Sequence, residues 1–158
     1  MKKILKSAAF VLALMMAVVV TSNTASAQRV NVSQKYDCGQ CVDKICSVLN
    51  RLSAQVNKCK TMDQFSAIDF DNLTGGLGIE QIPEECGSYR LTKADKDKIN
   101  SAWDGVIDSM ENKFVEFTGG MLTRQQIKSE TDSIRKSFKS AVNRSTTFQD
   151  LTDNLSNM

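Results

Sequence analysis

The sequence contains no histidine and a single proline among its 158 residues. Without histidine, the Ser-His-Asp and Cys-His catalytic arrangements, histidine metal sites and a histidine general base are all excluded. A c-type haem attachment also needs a histidine directly after Cys-x-x-Cys, and Val42 stands at that place. Any chemistry is therefore left to carboxylates, lysine, tyrosine and thiols.

A concentrated positive charge is missing as well. No patch in which basic residues alternate with aromatic residues is present, and aromatic residues make up only 6% of the chain. Because nucleic acid binding depends on concentrated positive charge, nucleic acid is not an expected partner.

The N-terminal segment has the three parts of a cleavable signal peptide. An apolar run covers residues 8–20, Ala25-Ser26-Ala27 supplies small residues before a cut, and three basic residues come first: Lys2, Lys3 and Lys6. The run is shorter than the roughly 20 residues that cross a membrane as a helix, so membrane contact is expected only in transit. Residues 1–27 are predicted to be a signal peptide of bacterial style, and the protein to be secreted or periplasmic.

Removal of residues 1–27 leaves 131 residues, which predicts one domain over residues 28–158. The removed segment carries three lysines and no acidic residue, so the formal charge changes from +2 to −1. Apolar residues recur at spacings of three and four, which favours helices over strands. We expect an all-α fold, an antiparallel bundle of three long helices with one or two short helices, stabilised by disulfides.

The first long helix is predicted to start at Asp37, which forms a capping box with Gln40. One stripe of this helix is expected to face the core: Cys38, Val42, Ile45, Leu49, Leu52, Val56 and Cys59. Residues 61–91 then form a long irregular connection, in which a short helical piece is predicted over residues 62–70.

Capping signals define the remaining helices. Thr92 with Asp95 begins the second long helix, Gly119-Gly120 ends it, and Thr123 with Gln126 begins the third. The short glycine connection predicts that these two helices are antiparallel neighbours. Core positions of the second helix include Trp103, Met110, Phe114 and Phe117. A last short helix places Phe148, Leu151 and Leu155 on one face. The charge runs 93–98 and 135–139 are interpreted as solvated faces.

All five cysteines are disulfide candidates: Cys38, Cys41, Cys46, Cys59 and Cys86. Export favours disulfides, and the odd number leaves one thiol unpaired. On one continuous helix, Cys46 and Cys59 lie roughly 20 Å apart, too far for a bridge. We therefore expect Cys59 to pair with Cys86, with Cys46 to Cys86 as the competing pairing.

The motif Cys38-Gly39-Gln40-Cys41 has three interpretations. The first is structural: a local disulfide at the helix start, or two core positions. The second is redox chemistry, because the motif at a helix N-terminus resembles the Cys-Gly-x-Cys of thioredoxin-like oxidoreductases. That resemblance implies that Cys38 attacks and Cys41 resolves the mixed disulfide. The third is a four-thiolate metal site formed by Cys38, Cys41 and Cys46 with Cys59 or Cys86.

These observations predict a non-enzymatic exported protein that binds another protein, with no cofactor. The alternatives are a thiol-disulfide oxidoreductase or redox sensor centred on Cys38 and Cys41, and a thiolate metal-binding protein. The binding interpretation also predicts a contiguous exposed apolar patch, because monomeric proteins rarely leave a large one uncovered.

Overall fold

A computed structural model describes residues 37–68 and 83–156. Its elements, in chain order, are helix α1 (Gly39–Lys58), helix α2 (Met62–Ser66), a 3-10 turn (Glu84–Cys86), helix α3 (Lys93–Phe117), helix α4 (Arg124–Arg144) and helix α5 (Phe148–Ser156). These residues are mostly helical and contain no strand, which confirms the all-α prediction. The predicted signal peptide and residues 69–70 of the predicted short helix lie outside the described residues.

Within residues 37–68 and 83–156, no helix combines the length and the apolar character needed to cross a membrane.

The capping boxes predicted for α3 and α4 are both present. The Thr92 Oγ1 accepts from the Asp95 N–H at 3.2 Å, and the Asp95 carboxylate accepts from the Thr92 N–H at 2.8 Å. Thr123 and Gln126 make the same reciprocal pair at the start of α4. The end of α3 is also as predicted, since Gly119 and Gly120 have positive φ angles that favour glycine.

The start of α1 differs from its prediction. Cys38 is the N-cap, and its side chain accepts no capping hydrogen bond from the backbone of the first turn. The Asp37 Oδ1 accepts from the N–H of Gly39 at 3.1 Å, two residues on, and so does not form the predicted box with Gln40. The apolar stripe is confirmed: Cys38 is half-buried, and the other predicted positions, from Val42 to Cys59, are buried.

The core forms around α3. Phe65 of α2 is fully buried and meets the rings of Phe114 and Phe117 edge-on, with centroids 5.3 and 6.4 Å apart. Trp103 stacks on Phe138 of α4, with centroids 4.3 Å apart. Phe148 and Leu151 of α5 are buried and Leu155 packs against the same core. Trp103 and Phe114 are core residues, as predicted, and Phe117 is half-buried and packs against the same core.

Helices α3 and α4 are antiparallel. Lys96 at the start of α3 donates to the backbone oxygen of Asn143 near the end of α4. Glu111, further along α3, accepts a hydrogen bond from Thr131 nearer the start of α4. The two-glycine turn between the helices therefore reverses the chain, as its sequence predicts.

Helices α1 and α3 are parallel, in contrast to the antiparallel arrangement expected from the sequence. Asp43 near the start of α1 pairs with Lys98 near the start of α3, whereas Asn57 at the end of α1 donates to Ser109, further along α3. A parallel pair requires the chain to return along the whole length of α1 before α3 begins. The end of α1 and the start of α3 therefore lie about 30 Å apart, the length of a 20-residue helix.

Candidate functional site

The chemically distinctive part of the molecule is the group of cysteines at the start of α1. Cys38 and Cys86 form a disulfide, with Cα atoms 5.5 Å apart. The preferred pairing of Cys59 with Cys86 and the competing pairing of Cys46 with Cys86 are therefore wrong. Because α1 and α3 are parallel, Cys86 lies just before α3 and next to the start of α1, while Cys59 lies at the far end of α1.

The disulfide connects α1 to the C-terminal end of the fold. Residues 87–91 pair with residues 146–149 through three backbone hydrogen bonds of 2.9 to 3.2 Å: Leu91 to Thr146, Phe148 to Tyr89, and Gln149 to Gly87. Tyr89 also stacks on Phe148, with ring centroids 5.3 Å apart. With its cysteines separated by 48 positions in the sequence, the disulfide stabilises the fold by about 4 kcal/mol in the chain-entropy account.

Three thiols remain free: Cys41, Cys46 and Cys59. Cys41 is buried and belongs to the core, so the predicted local disulfide between Cys38 and Cys41 is not formed, although the core position foreseen for Cys41 is confirmed. Burial raises the pKa of the Cys59 thiol. Burial also raises the pKa of Cys46; the Asp43 carboxylate adds to this effect, and Lys98 partly offsets it.

The predicted four-thiolate metal site does not form among the described residues. No group of three or more Cys, Asp or Glu side chains there is placed to hold a metal ion. The sulfur of Cys38 is committed to the disulfide. Cys41 and Cys59 are separated by about 27 Å along the axis of α1, because each residue adds 1.5 Å. The site proposed for Cys38, Cys41, Cys46 and Cys59 is therefore wrong.

An open groove of about 720 Å³ runs between α1 and α3. Its base contains the half-buried Cys46 and the buried Ala102. Five exposed residues surround this base: Asn50, Ala94, Asp97, Lys98 and Ser101. Most of these side chains are small, so the groove is wide and carries both signs of charge on its rim.

A charged cluster joins α3 to α4 on the other side of α3. The guanidinium of Arg135 donates to Asp104 at 2.9 Å, to Asp108 at 2.8 Å and to Glu111 at 3.0 Å. Lys139 donates to the second oxygen of Asp104 at 2.6 Å. The Glu111 side chain is only 3% exposed, so these partners compensate the cost of burying it.

The pKa values of the cluster follow from these hydrogen bonds. Burial alone would raise the pKa of Asp104, but hydrogen bonds from Lys139 and Arg135 outweigh it and hold that pKa below its usual range. Burial alone would lower the pKa of Arg135, and the three carboxylates raise it instead. Both groups therefore stay charged at neutral pH.

The sequence interpretation missed this cluster, since it treated residues 135–139 as a solvated face. The signal was present in the spacing. Asp104, Asp108 and Glu111 lie four and three residues apart on α3, and Arg135 and Lys139 lie four apart on α4, so each set occupies one helix face. Two complementary stripes on antiparallel neighbours indicate a charged interface.

The predicted exposed apolar patch is not found in the part of the chain that the structure describes. Met121, in the turn between α3 and α4, is the large hydrophobic side chain that is exposed there, at 73%. A single exposed methionine is ordinary for a protein surface.

Comparisons with protein-family models, with curated proteins and with solved structures found no match to this chain.

Proposed function

We propose that the mature chain is an exported, non-enzymatic helical protein that binds a segment of another protein in the groove between α1 and α3. In this proposal the three long helices form one bundle, with α3 between α1 and α4, and the bundle serves as a rigid support. The groove is the observation that carries the proposal.

The composition of the groove supports a polypeptide partner. The groove is open to solvent, so a partner segment would lie across it rather than be enclosed by it. Small side chains at Ala94, Ser101 and Ala102 leave room for a backbone to approach, and Asn50 with Ser101 offers hydrogen-bonding groups.

The charges on the rim favour a partner with both acidic and basic residues. Lys98 pairs with Asp43 at 3.3 Å, but both side chains are well exposed, at 60% and 67%. An exposed pair of this kind contributes little to stability, so either charge is exchanged for a partner's charge at small cost.

Photo-crosslinking tests this proposal directly. A photoreactive residue is placed at Ser101 in the groove and, as the matched control, at Ser137 on the exposed face of α4. After irradiation in the cells that produce the protein, we expect a protein adduct from position 101 that is absent from position 137. Introducing Ala94→Arg, which fills the groove, should abolish that adduct.

Two results would contradict the proposal. One is the same set of adducts from positions 101 and 137, which would indicate random collisions. The other is an adduct from position 101 that survives Ala94→Arg while circular dichroism shows an unchanged helix content.

A further inference from the structure

We propose that the Cys38–Cys86 disulfide exchanges internally with the thiol of Cys41, so that the oxidised protein has two covalent forms. In the first form Cys38 is bonded to Cys86, as described above. In the second form Cys38 is bonded to Cys41, and Cys86 carries the free thiol. The motif Cys38-Gly39-Gln40-Cys41, which resembles the Cys-Gly-x-Cys of thioredoxin-like oxidoreductases, holds a disulfide only in the second form.

The position of Cys41 carries this inference. Cys41 lies three residues after Cys38, and its N–H donates to the carbonyl oxygen of Cys38 at 3.1 Å, which closes the first turn of α1. Side chains three apart on a helical turn have Cβ atoms about 5 to 6 Å apart. The disulfide places Cys86 directly beside Cys38, and Cys41 lies one helical turn from Cys38, so the three cysteines lie at the same end of α1.

The other two thiols do not share this position. Cys46 faces the groove between α1 and α3, and Cys59 lies at the opposite end of α1, where its thiol donates to the backbone oxygen of Gln55. Exchange in the folded protein is therefore selective for Cys41.

The exchange is balanced within the molecule. The Cys41 thiolate attacks the Cys38 sulfur, the bond between Cys38 and Cys41 forms, and the bond between Cys38 and Cys86 breaks. Cys86 leaves as a thiolate and takes up the proton that Cys41 released. The protein has one disulfide and three thiols before and after the step, so no external oxidant or reductant is required.

The two forms differ in what is held to the start of α1. In the first form, the disulfide fixes residues 83–91 to α1. In the second form, these residues keep their hydrogen bonds to residues 146–149 but lose the covalent bond to α1. The half-buried Cys38 is then part of a local disulfide that a partner thiol can reach from solvent.

Peptide mapping distinguishes the forms. Trypsin places Cys38 and Cys41 in the peptide 36–44 and Cys86 in the peptide 61–90. The first form gives these two peptides as a cross-linked pair. The second form gives peptide 36–44 with an internal disulfide and peptide 61–90 with an alkylated cysteine.

The full mature chain is incubated without denaturant and without oxygen at about pH 8.5, where ordinary thiols are half ionised. It is then quenched with acid, alkylated and digested without reductant. In the unmodified chain, we expect the alkylated fraction of Cys86 to become roughly tenfold or more higher than in Cys41→Ser. The internal disulfide of peptide 36–44 should increase together with that fraction. The control Cys59→Ser should behave like the unmodified chain.

Three results would overturn the inference. The first is a cross-linked pair that persists unchanged in the unmodified chain, a measurement that needs no variant to fold. The second is alkylation of Cys86 in Cys41→Ser or in Cys41→Ala to the same extent as in the unmodified chain. The third is the appearance of disulfides to Cys46 or Cys59 at the same rate, because that pattern results from exchange in unfolded molecules.

Discussion

The two faces of α3 differ in the least exposed polar contacts that they make with the neighbouring helices, apart from the exposed Lys98–Asp43 pair on the α1 side. Towards α1, α3 presents the neutral Ser109, which accepts from Asn57 at 2.9 Å and lies 2.7 Å from the hydroxyl of Ser53. Towards α4, it presents carboxylates that surround the guanidinium of Arg135.

Neutral hydrogen bonds lose little when one partner is removed and water replaces it, whereas a buried charge without its partner costs much more. We therefore expect substitution of these polar contacts to cost less between α1 and α3 than between α3 and α4.

The largest effect is expected at the charged interface. Arg135→Met should lower the free energy of unfolding by about 3 to 5 kcal/mol, because the buried Glu111 carboxyl group would lose the guanidinium that compensates the cost of its burial. Urea titration followed by circular dichroism measures this loss.

Two further variants sharpen the result. The control Lys136→Met, on the exposed neighbouring residue, should change stability by no more than about 0.5 kcal/mol. The double variant Arg135→Met/Glu111→Met removes both charges and should recover most of the loss. If Arg135→Met costs no more than the control, the charged cluster does not hold α3 to α4 as described.

A smaller effect is expected at the neutral interface. Ser109→Ala removes the hydroxyl that contacts Ser53 and Asn57, and we expect it to cost about 1 kcal/mol, measured by the same titration. Ser53 keeps its hydrogen bond to the backbone oxygen of Gly105, and the exposed Asn57 finds water instead. The exposed Ser101→Ala is the matched control. A loss as large as that of Arg135→Met would remove the distinction between the two interfaces.

An effect of similar size depends on pH. The pKa of Asp104 is lower in the folded protein than in the unfolded chain. Its contribution to stability is therefore present above the unfolded pKa of about 3.9 and is lost as the pH falls through the lower folded pKa.

We expect Asp104→Asn to lower stability at pH 7 by about 1 kcal/mol and to lose less stability than the unmodified chain below about pH 4. The measurement is urea titration at a series of pH values. Asp97→Asn, at an exposed position on α3, should leave the pH profile unchanged. If the free energy of unfolding changes with pH in the same way in Asp104→Asn and in the unmodified chain, the pH-dependent contribution assigned to Asp104 is refuted.

Local capping signals predicted the ends of α3 and α4 correctly, although the capping box expected for Asp37 and Gln40 does not form. The capping pairs at Thr92 and Thr123 and the stop at Gly119-Gly120 predict the ends of α3 and α4, and all are present. The apolar stripe of α1 is also as predicted, because helical spacing alone determines which residues share a face.

The disulfide could not be predicted in the same way, because it depends on the direction of α1 relative to α3. An antiparallel pair would place Cys86 beside Cys59, whereas the parallel pair places it beside Cys38. The length of the connection between the helices permits both directions, so the choice rests on packing across the whole interface. One wrong orientation therefore accounts for the wrong cysteine pairing.

The same disulfide determines what happens to the chain if a peptide bond is cut within residues 69–82. This stretch lies between Cys38 and Cys86 in the sequence, so a single cut there leaves two fragments joined through sulfur. The nicked molecule would migrate as one species until a reductant separated it. In the form with the Cys38–Cys41 bond, the same cut would leave two fragments with no covalent link, and proteolysis would then become irreversible separation.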